Sequence, residues 1–79
     1  MNHHVRESGS GRQRSAPGSS SIHQNRNEIF HVLEGTFSLE SETTPQTEFT
    51  KGDTGVIPAG FCGTLRVTEA VRKIYVLLT

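Results

Sequence analysis

Gly52-Asp53-Thr54-Gly55-Val56-Ile57-Pro58-Ala59-Gly60 is the stretch that decides how this 79-residue chain is read. Two chain-reversal signals, Gly52-Asp53 and Pro58-Ala59-Gly60, enclose the β-formers Val56 and Ile57. Gly52 and Gly60 have no Cβ, so either can adopt positive φ. Pro58 fixes its own φ and donates no backbone hydrogen bond, which marks a strand end. The stretch predicts turn, short strand, turn, a unit found in many all-β proteins, and its flanks give it meaning.

Upstream lie Thr47–Thr50, a short strand centred on Phe49, and a polar turn over residues 41–46 that contains Pro45. Before these, Glu28–Leu33 reads as a strand closed by Glu34-Gly35. Thr36–Glu40 then alternates, with Phe37 and Leu39 on one face and Thr36, Ser38 and Glu40 on the other. A Gly-containing turn between two such runs predicts a hairpin. Downstream, Gly63–Thr68 alternates with Leu65 and Val67 inward, Glu69-Ala70 turns the chain, and Val71–Leu78 is a last strand. No helix-period segment with caps is present. About six short strands with closely spaced turns predict an antiparallel sandwich or barrel. The core candidates are Phe30, Val32, Phe37, Leu39, Phe49, Ile57, Leu65, Val67, Ile74 and Val76.

Residues 1–21 differ in composition from the rest. They are rich in Ser, Gly, Arg and Gln, and Val5 and Ala16 are their only small apolar side chains after Met1. Ordering a backbone costs about 1–2 kcal/mol per residue, which such a segment cannot offset by burial. The expectation is a disordered tail over residues 1–21, with His3-His4 solvated, and one β domain over residues 22–79. A transit peptide is the rival reading of the Arg- and Ser-rich segment, and its glycines argue against the amphipathic helix that role requires.

Net charge is zero, so nothing global points to nucleic acid or an anionic membrane. Cys62 is the lone cysteine, which excludes an internal disulfide and a cysteine-based zinc cluster. It also suggests a reducing, cytoplasmic compartment. No apolar run nears the roughly 18–20 residues of a membrane span, and no secretory-signal core is seen.

Taken together, the residues resemble the cupin superfamily. Glu28, six residues, then Gly35 is similar to the end of the first cupin motif. Gly52, five residues, then Pro58-Ala59-Gly60 is similar to the start of the second. The run Val56–Leu65 with Val67–Val76 resembles the group that includes (S)-ureidoglycine aminohydrolase-like and ethanolamine-utilisation cupins. Over residues 22–78 the resemblance implies a partial double-stranded β-helix, or jelly roll, with a small pocket inside. It also implies further strands before the first motif, whose place the Ser/Gly-rich segment holds. An open barrel exposes an unpaired sheet edge, which invites a homodimer through edge strands.

The resemblance implies a site as well. Metal-binding cupins hold a divalent ion such as Mn, Fe, Ni or Zn with a His-x-His pair, a Glu and a second-motif His, a mixed imidazole–carboxylate set. Carried over, Glu28 fills the Glu position and His23 the second His position. Ser21 stands at the first His, and Gly63 at the second-motif His. Two of the four usual ligand positions are therefore lost, and a degenerate site with weak or no binding of a divalent metal is expected, the cofactor being left open. The candidate binding residues are Glu28, His23, Phe30 and Leu65, facing a small polar molecule. Glu28 is either pocket-facing or a carboxylate on the rim. His31, three residues from Glu28, faces the other side of a regular strand. Cys62 is expected to be buried or half-exposed, with no base beside it to make a reactive thiolate. Arg72-Lys73 reads as the charged start of an edge strand. The function expected is a cupin domain of unassigned activity with a small-molecule pocket. The alternatives are a non-catalytic oligomerising or binding module, or a fragment without independent activity.

Overall fold

The computed structural model describes the backbone of residues 7–78 and the side chains of residues 9–78. The expectation for His3-His4 lies outside the described residues. Six strands form one antiparallel sheet: β1 (Glu7–Ser15), β2 (Gly18–His23), β3 (Asn27–Glu40), β4 (Thr47–Thr50), β5 (Thr54–Ile57) and β6 (Cys62–Leu78). Strands β3 and β6 are long and lie side by side at the centre. On the far side of β6 lie β1, opposite residues 71–78, and β2, opposite residues 62–67. On the far side of β3 lie β5, opposite residues 28–31, and β4, opposite residues 36–39.

The turn-strand-turn stretch forms as expected. Gly52 and Gly60 adopt φ of 92° and 89°. The first turn is tied to β3, since Gly52 N–H donates to the Val32 carbonyl at 2.9 Å and Val32 N–H to that of Asp53 at 2.9 Å. The second is tied to the approach to β3. Ala59 N–H donates to Asn27 Oδ1 at 2.8 Å, and Gly60 N–H to the Gln24 carbonyl at 2.7 Å.

Strand count agrees with the sequence reading, but its composition differs. The hairpin expected at Gly35 is a bulge inside one continuous strand, β3. Gly35 has φ 88°, and a Cβ there would lie 2.1 Å from the Ala70 carbonyl oxygen. Only glycine lets the two central backbones meet this closely. Similarly, Glu69-Ala70 does not turn the chain but runs straight through β6. A turn there would need a residue that ends a strand, and neither Glu nor Ala does so.

The tail expected over residues 1–21 is corrected for its described part, because Glu7–Ser15 and Gly18–Ser21 are strand. The composition argument counted buried side chains. What orders β1 and β2 is backbone pairing along the free side of β6, and main-chain hydrogen bonds are indifferent to Ser and Gly side chains.

The inward face carries the core: Phe30, Val32, Phe37, Leu39, Ile57, Val67 and Val71, with Ile22, Phe49, Phe61, Leu65 and Tyr75 packed against it. Phe30, Phe37 and Phe49 form a ring cluster with centroids 5.0–5.4 Å apart. Such pairs add about 0.5–1.5 kcal/mol each beyond burial.

Two core expectations fail. Ile74 is 41% exposed, and Val76 is only partly covered. Opposite residues of an antiparallel pair share a face, and the register sets Phe30 against Tyr75 and Val32 against Lys73. Val71, Lys73 and Tyr75 therefore point inward, and Ile74 points out. Lys73, expected at the start of an edge strand, is 5% exposed in a central one.

Candidate functional site

Glu28 sits on the inward face of β3, two residues from Phe30 and four from Val32, and is 8% exposed. It points inward, so of the two expectations for it the rim position does not hold. Across the sheet it is opposite Leu77, whereas Lys73 is opposite Val32. The Lys73 side chain runs along the interior to meet it, and Nζ donates to Glu28 Oε2 at 2.8 Å. The ammonium also lies 5.1 Å from the Phe30 ring centroid and 5.5 Å from that of Phe37. A buried charge is costly unless paired and hydrogen-bonded. Here each charge answers the other, and two aromatic faces add cation–π attraction.

Above this pair opens a cleft of about 580 Å3, bordered by Arg12, Gln13, His23, Gln24, Arg26 and Tyr75 beside Glu28. Gln24 Nε2 donates to Glu28 Oε1 in a long hydrogen bond of 3.5 Å. The cleft therefore presents the Glu28 carboxylate, whose other oxygen is held by the Lys73 ammonium, among an amide, a phenol, an imidazole and guanidinium groups, while Lys73 itself borders a different, smaller space.

The expected residues divide. Glu28 and His23 border the same cleft, but His23 is exposed at the end of β2, paired with Cys62. Gln24, its neighbour, is the residue that reaches Glu28. Phe30 does not line the cleft; at 1% exposed it is core beneath the Lys73 ammonium. Leu65 borders a separate small space of about 20 Å3 with Phe37, Val67, Val71 and Lys73. His31 faces away from Glu28, with Nδ1 2.7 Å from Thr54 Oγ1 on the outer side of the sheet. Cys62 is exposed rather than buried, because its position on β6 is one removed from the inward Gly63. It borders an open groove of about 980 Å3 between the 41–44 and 58–61 turns.

Residues that would hold the divalent ion of metal-binding cupins do not fit it here. Glu28 is already bound by an internal cation. Ser21 is exposed and paired with Thr64, on the face opposite to Glu28. Gly63 does face inward, but a Cβ there would lie 2.1 Å from the Glu40 carbonyl oxygen, so β3 fills the space of a side chain. Among the described residues, no three His, Cys, Asp or Glu side chains are grouped to hold a metal.

Sequence reasoning missed Lys73. The signal was present: with no strand-ending residue at Glu69-Ala70, the inward face of Val67 continues through Val71 to Lys73.

Comparisons with known proteins agree with this architecture. The chain matches the EutQ-like cupin domain over residues 9–75. No curated protein is a significant match. A DUF861 family protein from Thermotoga maritima is 27% identical, with a TM-score of 0.81 over 85% of this chain and 76% of its own. An ethanolamine utilization protein Q, provisionally so named, from Salmonella typhimurium LT2 is 26% identical, with a TM-score of 0.79 over 87% of this chain. The EutQ protein of Clostridium difficile, at 23% identity, shares the fold with a TM-score of 0.79 over 87% of this chain. This chain spans 55% and 50% of those two EutQ chains. The family match takes in β1 and β2 as well as both motifs, and the chain belongs to the EutQ-like cupin domain family.

Proposed function

We propose that this cupin domain binds a small polar molecule in the cleft above the Glu28–Lys73 pair, without a metal ion. The buried Glu28 carboxylate, which borders the cleft and is paired with Lys73, carries the reading. Charged groups are seldom buried unless function or folding retains them, and here the carboxylate of the pair meets an open space lined with hydrogen-bonding groups. A ligand with a hydrogen-bond donor can meet Glu28 while the Arg12, Gln24 and Tyr75 side chains orient it. Cytoplasmic residence belongs to the same reading, since an exposed lone thiol such as Cys62 suits a reducing compartment.

The test is backbone amide NMR titration of the 15N-labelled chain with small carboxylates, amides, amines and polyols. Binding is expected to shift the amides of Gln24, Glu28, Lys73 and Tyr75 together, and those shifts should vanish in Tyr75→Ala. A panel that leaves these amides unmoved at millimolar concentration overturns the reading.

A second reading, a homodimer, is favoured by the outer face. Val56, Ile29 and Ile74 are 56%, 40% and 41% exposed there, and Val56 and Ile29 are direct cross-strand partners. Sedimentation equilibrium tests it: a dimer that Ile29→Lys converts to a monomer supports it, and a monomeric native chain ends it.

A further inference from the structure

We propose that the Glu28 position is a built-in cation site whose resident cation is the Lys73 ammonium, and that the site takes a primary ammonium in place of a divalent metal. The first support is reach. Glu28 and Val32 are four residues apart on β3, about 13 Å along a strand. Lys73 starts opposite Val32, yet its Nζ ends 2.8 Å from Glu28 Oε2. Only a long, extended side chain spans that gap. The charge is delivered to the carboxylate along the interior and does not simply lie beside it.

The second support is the cage. Besides the carboxylate, the ammonium has the Phe30 and Phe37 rings at 5.1 and 5.5 Å. Aromatic faces attract ammonium ions once these are desolvated. A small divalent ion instead demands several nitrogen, oxygen or sulfur ligands. Among the described residues no three His, Cys, Asp or Glu side chains are grouped to supply them, and the Glu40 carbonyl occupies the side-chain space at Gly63. The chemistry of the walls therefore selects an organic cation.

The third support is isolation. The two side chains are 6% and 10% exposed. Removing the Lys73 stem and charge leaves a carboxylate facing a slot, beside an open cleft, that has the shape of the missing fragment. Truncation at Cβ deletes three carbons and the ammonium, which is n-propylammonium.

The experiment compares thermal unfolding of Lys73→Ala in n-propylammonium chloride, in tetramethylammonium chloride and in NaCl at equal ionic strength, and with Mn2+, Ni2+ or Zn2+. Saturable stabilisation by n-propylammonium alone is expected, with a rise in Tm of about 5 °C or more. The native chain, dialysed against each metal and analysed by inductively coupled plasma mass spectrometry, is expected to retain none stoichiometrically. Rescue by a divalent metal, equal rescue by all salts, no rescue of a folded variant, or a stoichiometric metal in the native chain that Glu28→Gln removes each overturn the proposal. Should Lys73→Ala not fold, Lys73→Met is compared with Lys73→Met/Glu28→Gln. A double variant more stable than the single one supports the site, and equal stability overturns it.

Discussion

The two ends of the sheet fill their inward faces differently. At one end, where β1, β6, β3 and β5 lie together, the interior holds the Glu28–Lys73 pair over aromatic rings and opens into a cleft. At the other, where β2, β6, β3 and β4 meet, Leu39 and Leu65 pack together and the β3 backbone closes on Gly63. Between them lies the bulge at Gly35, where β3 presses on Ala70. Both ends carry a position that in metal-binding cupins would be a ligand, Glu28 at one and Gly63 at the other. At the first, the carboxylate is paired with the Lys73 ammonium. At the second, the Glu40 backbone lies where a side chain at Gly63 would go. The difference teaches that one sheet can fill its interior in two ways, with a buried ion pair at one end and with close backbone contact at the other.

The sharpest way to break this comparison is to remove one charge at the polar end. Lys73→Met strands a buried carboxylate and is expected to cost about 3–5 kcal/mol, read from urea denaturation. Replacing both, with Lys73→Met and Glu28→Leu together, is expected to restore most of that stability, since apolar packing often substitutes for a buried pair. At the packed end, Gly63→His adds a large side chain where the Glu40 backbone already lies. It is expected to destabilise by about 1–3 kcal/mol through overpacking against the Glu40 carbonyl, without conferring zinc binding in calorimetry. At the bulge between them, Gly35→Ala combines positive φ with the Ala70 contact, and a loss of about 1–3 kcal/mol is expected in the same denaturation series. The smallest effect is expected outside the sheet's interior. Arg72 and Glu34 form an ion pair of 3.1 Å with side chains 44% and 59% exposed, and Glu34→Gln should change stability by less than about 1 kcal/mol.

Much of the architecture was legible from residues 28–68. The alternation of Phe37 and Leu39, the turn glycines at 52 and 60 and the strand end at Pro58 each reflect local rules, and each holds. Glu28 was legible only as a choice between pocket and rim, because the sequence shows which residues alternate but not which face is covered. Lys73 was misread for a related reason. Its face is set by the β3–β6 register, and that register depends on the Gly35 bulge, which looks like a turn in the sequence. Likewise Arg72-Lys73 resembles a solvated charge pair, but one of the two is exposed and the other buried.

By itself, then, the chain determined an antiparallel all-β fold and the turn-strand-turn unit at 52–60, and its motifs resembled those of cupins, with Ser21 and Gly63 at two positions where that resemblance sets histidines. Those features rest on backbone preferences and residue identities, which are local. The tertiary structure alone decided that residues 7–15 and 18–21 are strands, that two long strands replace four short ones, and that Lys73 reaches Glu28. Each of these depends on pairing between segments far apart in the chain. Main-chain hydrogen bonds to β6 are not written in the side chains of β1, and the direction of a side chain in β6 is fixed by its partner strand.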